Sequence, residues 1–344
     1  MMADLPLSLI FLAGAGPLAA LLAGIAIGSL LPSLQRRALA VPNHRSSHRV
    51  VTPQGAGLGW VASTVIVSLG FLIGSGHFER EWLFLLGSLV GLSFLGFVDD
   101  INPLGWRTKL MLQGLLAGMA LLALPRIEGA CGFQIMVLAV TWLGFIALIN
   151  ITNFVDGIDE MTVAHGLPAL GAAVLLAGLG LLSLTQGITA AAGMGALVGF
   201  WWWNRHPARI FFGDAGSLPF GLLLGWSAAL TSLAGYPAAA LLGIAYPATD
   251  AGITLLRRWK AGAKLTQPHR DHAFQRAVDR GLPVRRVSGI VLLASMITGT
   301  LAILSAVQTK PLISVVCLVI GGIVVLIPIL VWLRMPPVDR KAKA

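Results

Sequence analysis

The chain has 344 residues, of which 56% are hydrophobic and only 11% charged, and its mean hydropathy is +0.84. Soluble globular chains carry roughly 25% charged residues, so this composition excludes a soluble enzyme, a disordered protein and a secreted disulfide scaffold. The net charge of +10 requires no nucleic-acid partner, because Lys and Arg accumulate in the cytoplasmic loops of membrane proteins. We therefore expect a polytopic membrane protein that binds membrane lipids and no nucleic acid.

Apolar runs along the chain predict about eleven transmembrane helices. Each run is long enough to cross a bilayer as a helix, and none has the alternating pattern of a barrel strand. We predict an all-α integral membrane protein that forms a single polytopic domain over residues 1–344. The runs lie at about residues 5–31, 56–75, 82–98, 109–125, 132–149, 162–184, 188–203, 216–234, 237–256, 286–306 and 311–333.

The distribution of positive charge predicts the orientation of these helices. With the N-terminus outside, 21 of the 24 Lys and Arg residues lie on the inner side, which is the bias expected of cytoplasmic loops. The N-terminus is therefore predicted to be periplasmic and the C-terminus cytoplasmic. Nearly all unusual polar residues lie on the same side, so we expect the active site to be formed by cytoplasmic loops 32–55, 99–108, 150–161, 204–215 and 257–285.

Acidic residues near the inner membrane boundary are the first candidates for chemistry, because carboxylates beside hydrocarbon are costly. Asp99 and Asp100 end one predicted helix, where the helix dipole is already negative, so a divalent cation or a metal-bound phosphate would stabilise them. The alternative is a solvated helix end before Pro103. Asp214 lies between two glycines at the start of another helix, where it is either that helix's cap or a metal ligand.

A second acidic segment combines amides with carboxylates. Asn150, Asn153, Asp156 and Asp159 follow one another at intervals of three residues, which would place them close together if the segment is helical. Gly157 would let a ligand approach the backbone. Such a set suits a ribose, a base or a metal-bound phosphate; the alternative is a polar helix end with turn residues.

Two basic loops contain histidines that membrane topology does not explain. In the most basic loop, His269, Arg270 and His272 suit a pyrophosphate, although attraction to anionic lipid explains most of the surrounding Lys and Arg residues. The other loop, Asn43-His-Arg45-Ser-Ser-His48, leads into a glycine-rich helix start that could hold a phosphate. Asp250, inside a predicted span, is expected either to have a buried partner or to line a site.

Taken in order, these motifs resemble the polyprenyl-phosphate N-acetylhexosamine-1-phosphate transferases (glycosyltransferase family 4). The branch most similar includes the O-antigen-initiating enzymes and undecaprenyl-phosphate GlcNAc-1-phosphate transferases. The similarity runs from about Pro42 to Gln275 and rests on five ordered motifs in five inside loops. The chain departs from the peptidoglycan branch because its histidine loop lacks adjacent histidines, and Glu160 stands where small residues often follow the second acid.

The resemblance implies an Mg²⁺-dependent phosphoglycosyltransferase of the bacterial inner membrane. Undecaprenyl phosphate would attack the β-phosphate of a UDP-N-acetylhexosamine, giving a lipid-pyrophosphoryl sugar and UMP and initiating O-antigen or a related cell-surface polysaccharide such as lipopolysaccharide. It also implies the site residues: Asp99, Asp100 and Asp156 as catalytic groups; Asp214 and Asp99 as metal ligands; and Asn43, Arg45, His48, Asn150, Asn153, Gly157, Asp159, His269, Arg270 and His272 as substrate-binding residues.

Two other functions are open at this point. A membrane pyrophosphate hydrolase or phosphatase could use the same acids and Mg²⁺ with water in place of the lipid nucleophile. A secondary transporter is disfavoured, because transporters bind at the middle of the membrane in broken helices, whereas these polar residues gather in loops. The oligomeric state, including a homodimer, is left open.

Overall fold

The computed structural model describes residues 5–40, 50–264, 269–308 and 310–336 of the chain. Within these ranges the fold is almost entirely helical, apart from the antiparallel pair of strands β1 (Leu39–Ala40) and β2 (Thr52–Pro53). The helices are α1 (Leu5–Arg37), α2 (Gly57–Gly74), α3 (Trp82–Ile101), α4 (Trp106–Leu121), α5 (Cys131–Val155), α6 (Met161–Gly178), α7 (Leu184–Asn204), α8 (Asp214–Leu233), α9 (Pro237–Gly243), α10 (Ala245–Lys260), α11 (Ala273–Asp279), α12 (Val284–Val307) and α13 (Pro311–Arg334).

Each predicted apolar run coincides with a helix, except that residues 237–256 form the broken pair α9 and α10, bent by 68°. Among the described residues, eight helices are long and apolar enough to cross a membrane, or nine if the bent pair is one span. Helix α4 has only 16 residues, fewer than the roughly 20 that a crossing needs, and α7 is rich in glycine and alanine. The nearly all-helical fold is that of an integral membrane protein, while eleven spans and the orientation of the termini stay predictions.

Small residues bring the first and seventh helices into direct backbone contact. A Cβ atom on Gly195 of α7 would lie 1.9 Å from the backbone oxygen of Gly16, and one on Gly199 would lie 2.3 Å from that of Ala20. Trp203 then donates from its indole nitrogen to the Gly24 carbonyl at 3.1 Å. Small residues that let backbones approach are the usual basis of helix packing in membranes, and here they let α1 and α7 pack closely together.

Helix α3 ends and helix α8 begins at the same end of the bundle, and the local sequence determines where. Helix α3 stops at Ile101 because Asn102 is extended, as the residue before a proline prefers to be. Helix α8 begins after Gly213, whose φ of 70° lies in the left-handed region that glycine adopts without strain. The strand pair joins this end, since the Phe211 amide donates to the Pro53 carbonyl at 2.9 Å. Polar residues that follow these helix ends therefore meet on one face.

Glycines in α2 and α3 also allow these two helices to pack closely against α8. A Cβ atom on Gly96 of α3 would lie 2.2 Å from the backbone carbonyl carbon of Asp214, and one on Gly57 of α2 would lie 2.0 Å from the Gly216 nitrogen. Neither position has room for a side chain. The first turn of α8, which carries Asp214, is thus positioned by backbone contact with two other helices.

We expect Gly96→Ala to destabilise the protein, because the added methyl group would force α3 and α8 apart. Overpacking of this kind costs about 1–3 kcal/mol, which thermal unfolding in detergent would detect as a lower midpoint. The matched control is Gly144→Ala in α5, where an added Cβ meets nothing within 4 Å. An unchanged midpoint for Gly96→Ala would contradict this packing.

Candidate active site

Two aspartates and one lysine form the centre of the polar cluster. Lys109, near the start of α4, donates from Nζ to Asp99 Oδ2 at 2.8 Å and also to Asp214 Oδ2. Asp99 accepts a further bond from the Leu104 amide at 2.7 Å. Each of the three charged side chains is less than a quarter exposed. The Lys109 ammonium is therefore a cation shared by carboxylates from α3 and α8.

Asp100 has a different task from its neighbour. Its Oδ1 accepts from the Asp214 amide at 3.1 Å and its Oδ2 accepts from the Ala215 amide at 3.2 Å. These are free N–H groups at the start of α8, so Asp100 caps that helix from α3. Gly213 makes room for the cap, because a Cβ there would lie 2.5 Å from Asp100 Oδ2. The Asp214 side chain is consequently not the cap of its own helix.

The two asparagines of α5 point to different partners. Asn153 donates from Nδ2 to Asp214 Oδ1 at 2.6 Å and to Ser217 Oγ at 2.9 Å, so it belongs to the cluster. Asn150 donates instead to Gln113 Oε1 of α4 at 2.8 Å. Asn150 is not among the described residues that line the cavity near Asp214, so its predicted role in substrate binding stays a prediction.

Asp156 and Gly157 follow the end of α5. Asp156 accepts a hydrogen bond from the Thr162 hydroxyl. Burial, together with the nearby charges of Asp214 and Asp159, raises the pKa of the Asp156 carboxyl to about 7 despite that hydrogen bond. Gly157 is packed tightly, because a Cβ atom there would lie 2.8 Å from Gln275 Nε2 of α11. The glycine brings α11 close to the acidic segment.

Asp159 lies farther along the same loop and faces the connection between α7 and α8. Its Oδ2 lies 2.6 Å from Nδ1 of His206 and accepts from the Ala208 amide at 3.1 Å. Glu160 beside it accepts from the His206 amide at 3.2 Å through Oε1. Asp159, predicted to bind substrate, is thus paired with a histidine for which the sequence alone predicts no role.

His272 of the histidine loop is more deeply buried than expected of a ligand for pyrophosphate. His272 is 2% exposed, and its Nδ1 lies 2.6 Å from Oδ2 of Asp250, which is the buried partner predicted for that acid. Its ring stacks on His269 with centroids 5.3 Å apart. Burial and then the charge of Arg258 lower the pKa of His269 to about 4, so this imidazole is neutral at pH 7. Arg270 pairs with Asp279 at 2.6 Å.

A cavity of about 590 Å³ opens beside these groups. Of the predicted site residues, Asp100, Asn153, Asp156, Gly157, Asp159 and Asp214 line it. His269, Arg270 and His272 are not among the described residues that line the cavity. A direct contact between that loop and a ligand in this cavity therefore stays a prediction. Asn43, Arg45 and His48 lie outside the described residues.

Asp99 and Asp214 offer two carboxylates. This number suits Mg²⁺, which completes its shell with water and phosphate, better than it suits a metal ion coordinated entirely by protein side chains. Within the described ranges, no three His, Cys, Asp or Glu side chains come together as a metal cluster. Mg²⁺ usually takes one or two carboxylates and completes its shell with water and substrate phosphates. Two carboxylates that already share one cation are such a pair.

Sequence reasoning missed Lys109 and His206. The sequence marks Lys109 only as a basic residue on the inner side, although it follows Asp99 by ten residues and lies near the start of the next helix, which is a signal for contact. The sequence also predicts no individual role for Gln54, yet its Nε2 donates to the Asp100 carbonyl at 3.0 Å and its side chain lines the cavity. No local pattern predicts that contact, because 46 residues separate the partners.

Residues 82–232, from the first residue of α3 to the end of α8, match the model of glycosyl transferase family 4. Over these residues the chain is similar to glycosyl transferase family 4. The matched segment includes the whole aspartate and lysine cluster, whereas the histidine loop lies outside it. The resemblance drawn from the motifs is therefore confirmed at the level of the family.

Named relatives agree with this match. The chain is 31% identical to a phospho-N-acetylmuramoyl-pentapeptide-transferase of Thermoanaerobacter sp. over 200 residues, which are 53% of this chain and 62% of that protein. It is 32% identical to a protein of the same name from Nautilia profundicola, with 55% and 62% covered. It is 26% identical to a probable undecaprenyl-phosphate N-acetylglucosaminyl 1-phosphate transferase of Bacillus subtilis, with 80% of each chain covered. The alignments with the first two thus span less than two thirds of those proteins.

Asp156 should make stability depend on pH. Because its pKa is raised from 3.8 to about 7, its contribution to folding is complete below about pH 4 and is lost as the pH rises through 7. Asp156→Asn removes the ionisable group. We expect its thermal unfolding midpoint, relative to wild type, to be higher at about pH 8 than at about pH 5. The same difference at both pH values would contradict the raised pKa.

Proposed function

We propose that the protein transfers an N-acetylhexosamine-1-phosphate from a UDP-sugar to undecaprenyl phosphate. The lipid phosphate oxygen would form a bond to the β-phosphorus of the donor, and the bond from that phosphorus to the bridging oxygen would break. UMP and a lipid-pyrophosphoryl sugar would be the products. The proposed setting is the cytoplasmic side of the bacterial inner membrane, at the start of O-antigen or related polysaccharide synthesis.

One observation carries the proposal: Asp99, Lys109 and Asp214 come from three different helices and meet beside a large cavity. Phosphoryl transfer requires positioning and neutralisation of charge more than covalent chemistry, and this cluster supplies both signs of charge at a helix end. A site at the end of the bundle also suits a lipid whose phosphate lies at the membrane surface. Transporters usually bind at the middle of the membrane, which this placement does not match.

Each group of the cluster has a proposed task. Asp99 and Asp214 would hold Mg²⁺, with Asn153 fixing the Asp214 carboxylate through its 2.6 Å bond. Bound there, the metal would supply positive charge to the transferring phosphoryl oxygens. Lys109 would exchange its bonds to the carboxylates for bonds to a phosphate, which an ammonium group binds well. Asp100 would act as a positioning residue, because its carboxylate holds the start of α8.

Asp156 and Asp159 would meet the rest of the donor along the cavity wall. The raised pKa of Asp156 would let it carry a proton at neutral pH, so it could donate to an oxygen of the substrate. Asp100 would position α8 and Asp156 would donate to the substrate. Asp99 and Asp214, in contrast, would bind the metal. Which hexosamine is transferred can be determined by comparing UMP release across a panel of UDP-N-acetylhexosamines.

The proposal predicts that Asp214→Asn abolishes UMP release. Purified protein with Mg²⁺, undecaprenyl phosphate and a panel of UDP-N-acetylhexosamines should release UMP with at least one sugar. The variant should lose about 100-fold or more of this rate, as enzymes do when a main electrostatic group is removed. Glu128→Gln is the matched control, since that exposed carboxylate lies between α4 and α5 at the other end of the bundle. Near-normal release by Asp214→Asn would remove it from the site.

Lys109 provides a second test through charge. Lys109→Met keeps much of the length of the side chain but removes the shared cation, so the two carboxylates would repel each other. We expect release of UMP to fall by at least about tenfold, and Lys109→Arg to recover part of the loss because it restores the charge. If Lys109→Met retained the wild-type rate, the lysine would have no part in transfer.

A further inference from the structure

His206, in the connection between α7 and α8, projects into the cavity and has no task in the proposed transfer. Its side chain is 41% exposed, and it lines the same wall as Asp159 and Ala208. An imidazole at such a place can both donate and accept hydrogen bonds. The way its ring and backbone are held indicates which of these it offers to a ligand.

Three neighbours fix the position of His206. Asp159 Oδ2 lies 2.6 Å from its Nδ1, Glu160 Oε1 accepts from its amide at 3.2 Å, and Arg285 donates to its carbonyl at 2.5 Å. The ring and both backbone groups are therefore held by separate side chains. A histidine this tightly placed presents one edge, that of Nε2, in a defined direction.

Glu160 is itself held in an uncommon conformation. Its φ of 67° is in the left-handed region, which is unfavourable for a residue other than glycine. The conformation is kept by its amide, which donates to Asn204 Oδ1 at 2.7 Å, and by Ser288, which donates to Oε2 at 3.2 Å. A glycine at this position would avoid the strain but would lose the bonds to His206 and Ser288.

The pairing with Asp159 determines the chemistry of the free edge. A carboxylate only accepts hydrogen bonds, so Nδ1 of His206 carries the shared hydrogen. In the neutral ring, Nε2 is then an acceptor, as in other pairs of carboxylate and histidine. The carboxylates of Asp159 and Glu160 also make this wall unfavourable for phosphate. The group that fits Nε2 is a neutral donor, either a hydroxyl or an N–H.

We propose that His206 is a specificity-determining residue that accepts a hydrogen bond from a hydroxyl or N–H group of the nucleotide-sugar donor. Glu160 is the positioning residue that holds it. The inference rests on the proposed function, because it takes the donor to be a UDP-sugar bound in this cavity. The partner group belongs either to the nucleoside or to the sugar, and the two sources can be separated experimentally.

Two substitutions distinguish contact with the donor from a structural role. In His206→Asn, the amide nitrogen takes the place of Nδ1 and keeps the bond to Asp159, but nothing reaches the position of Nε2. In His206→Gln, the longer side chain reaches that position with its carbonyl oxygen. The readouts are KM and kcat for the donor, KM for undecaprenyl phosphate, the Kd of UDP and of the accepted UDP-sugar by calorimetry, and the thermal midpoint.

We expect His206→Asn to raise the donor KM about tenfold, the effect of losing one buried hydrogen bond, while kcat, the lipid KM and the thermal midpoint stay close to wild type. His206→Gln should recover at least part of the donor KM. Weaker binding of both UDP and UDP-sugar would assign the contact to the nucleoside, and weaker binding of UDP-sugar alone would assign it to the sugar.

An unchanged donor KM in His206→Asn would overturn the inference while leaving the proposed function intact. So would full activity in His206→Asn with loss in His206→Gln, because that pattern means that only the bond to Asp159 matters. Failure of the wild-type protein both to bind a UDP-sugar and to release UMP would contradict the proposed function, and the role of His206 would fall with it.

Discussion

The site is built around the N-terminal end of α8, where backbone N–H groups need acceptors close to hydrocarbon. Asp100 provides them from α3 with both carboxylate oxygens, and Gly96 allows the two backbones to meet. Because a neighbouring helix supplies the cap, the side chain of Asp214 is available to Lys109 and Asn153. This capping interaction leaves the Asp214 carboxylate available for the proposed reaction.

Electrostatic balance explains why the cluster suits a phosphate and a divalent cation together. The carboxylates of Asp99 and Asp214 share the single positive charge of Lys109, so one negative charge is left without a partner. A divalent cation would compensate both carboxylates, and the ammonium would then be free to meet the added negative charge of a phosphate. The described ion pairs and the proposed substrate complex are thus two ways of satisfying the same charges.

The helical framework could be predicted from the sequence because apolar runs have a length fixed by the bilayer. The sequence also predicts that Asp99, Asp156 and Asp214 lie near one another, because the distribution of positive charge places their loops on the same side of the membrane. Contacts between distant segments could not be predicted: the pairing of Asn150 with Gln113 and the role of Lys109 depend on how α3, α4, α5 and α8 pack together. The burial of His272 against Asp250 could not be predicted either, because the sequence of a basic loop does not indicate how deeply a histidine in it is buried.

Following the β-phosphorus of the donor tests the proposed transfer most directly. With a UDP-N-acetylhexosamine radiolabelled at that phosphorus, the wild-type protein, Mg²⁺ and undecaprenyl phosphate should move the label into the organic phase in step with UMP release. The lipid product should gain the mass of one hexosamine phosphate. Label that remains in the aqueous phase as sugar phosphate while UMP is released would contradict transfer and indicate hydrolysis instead.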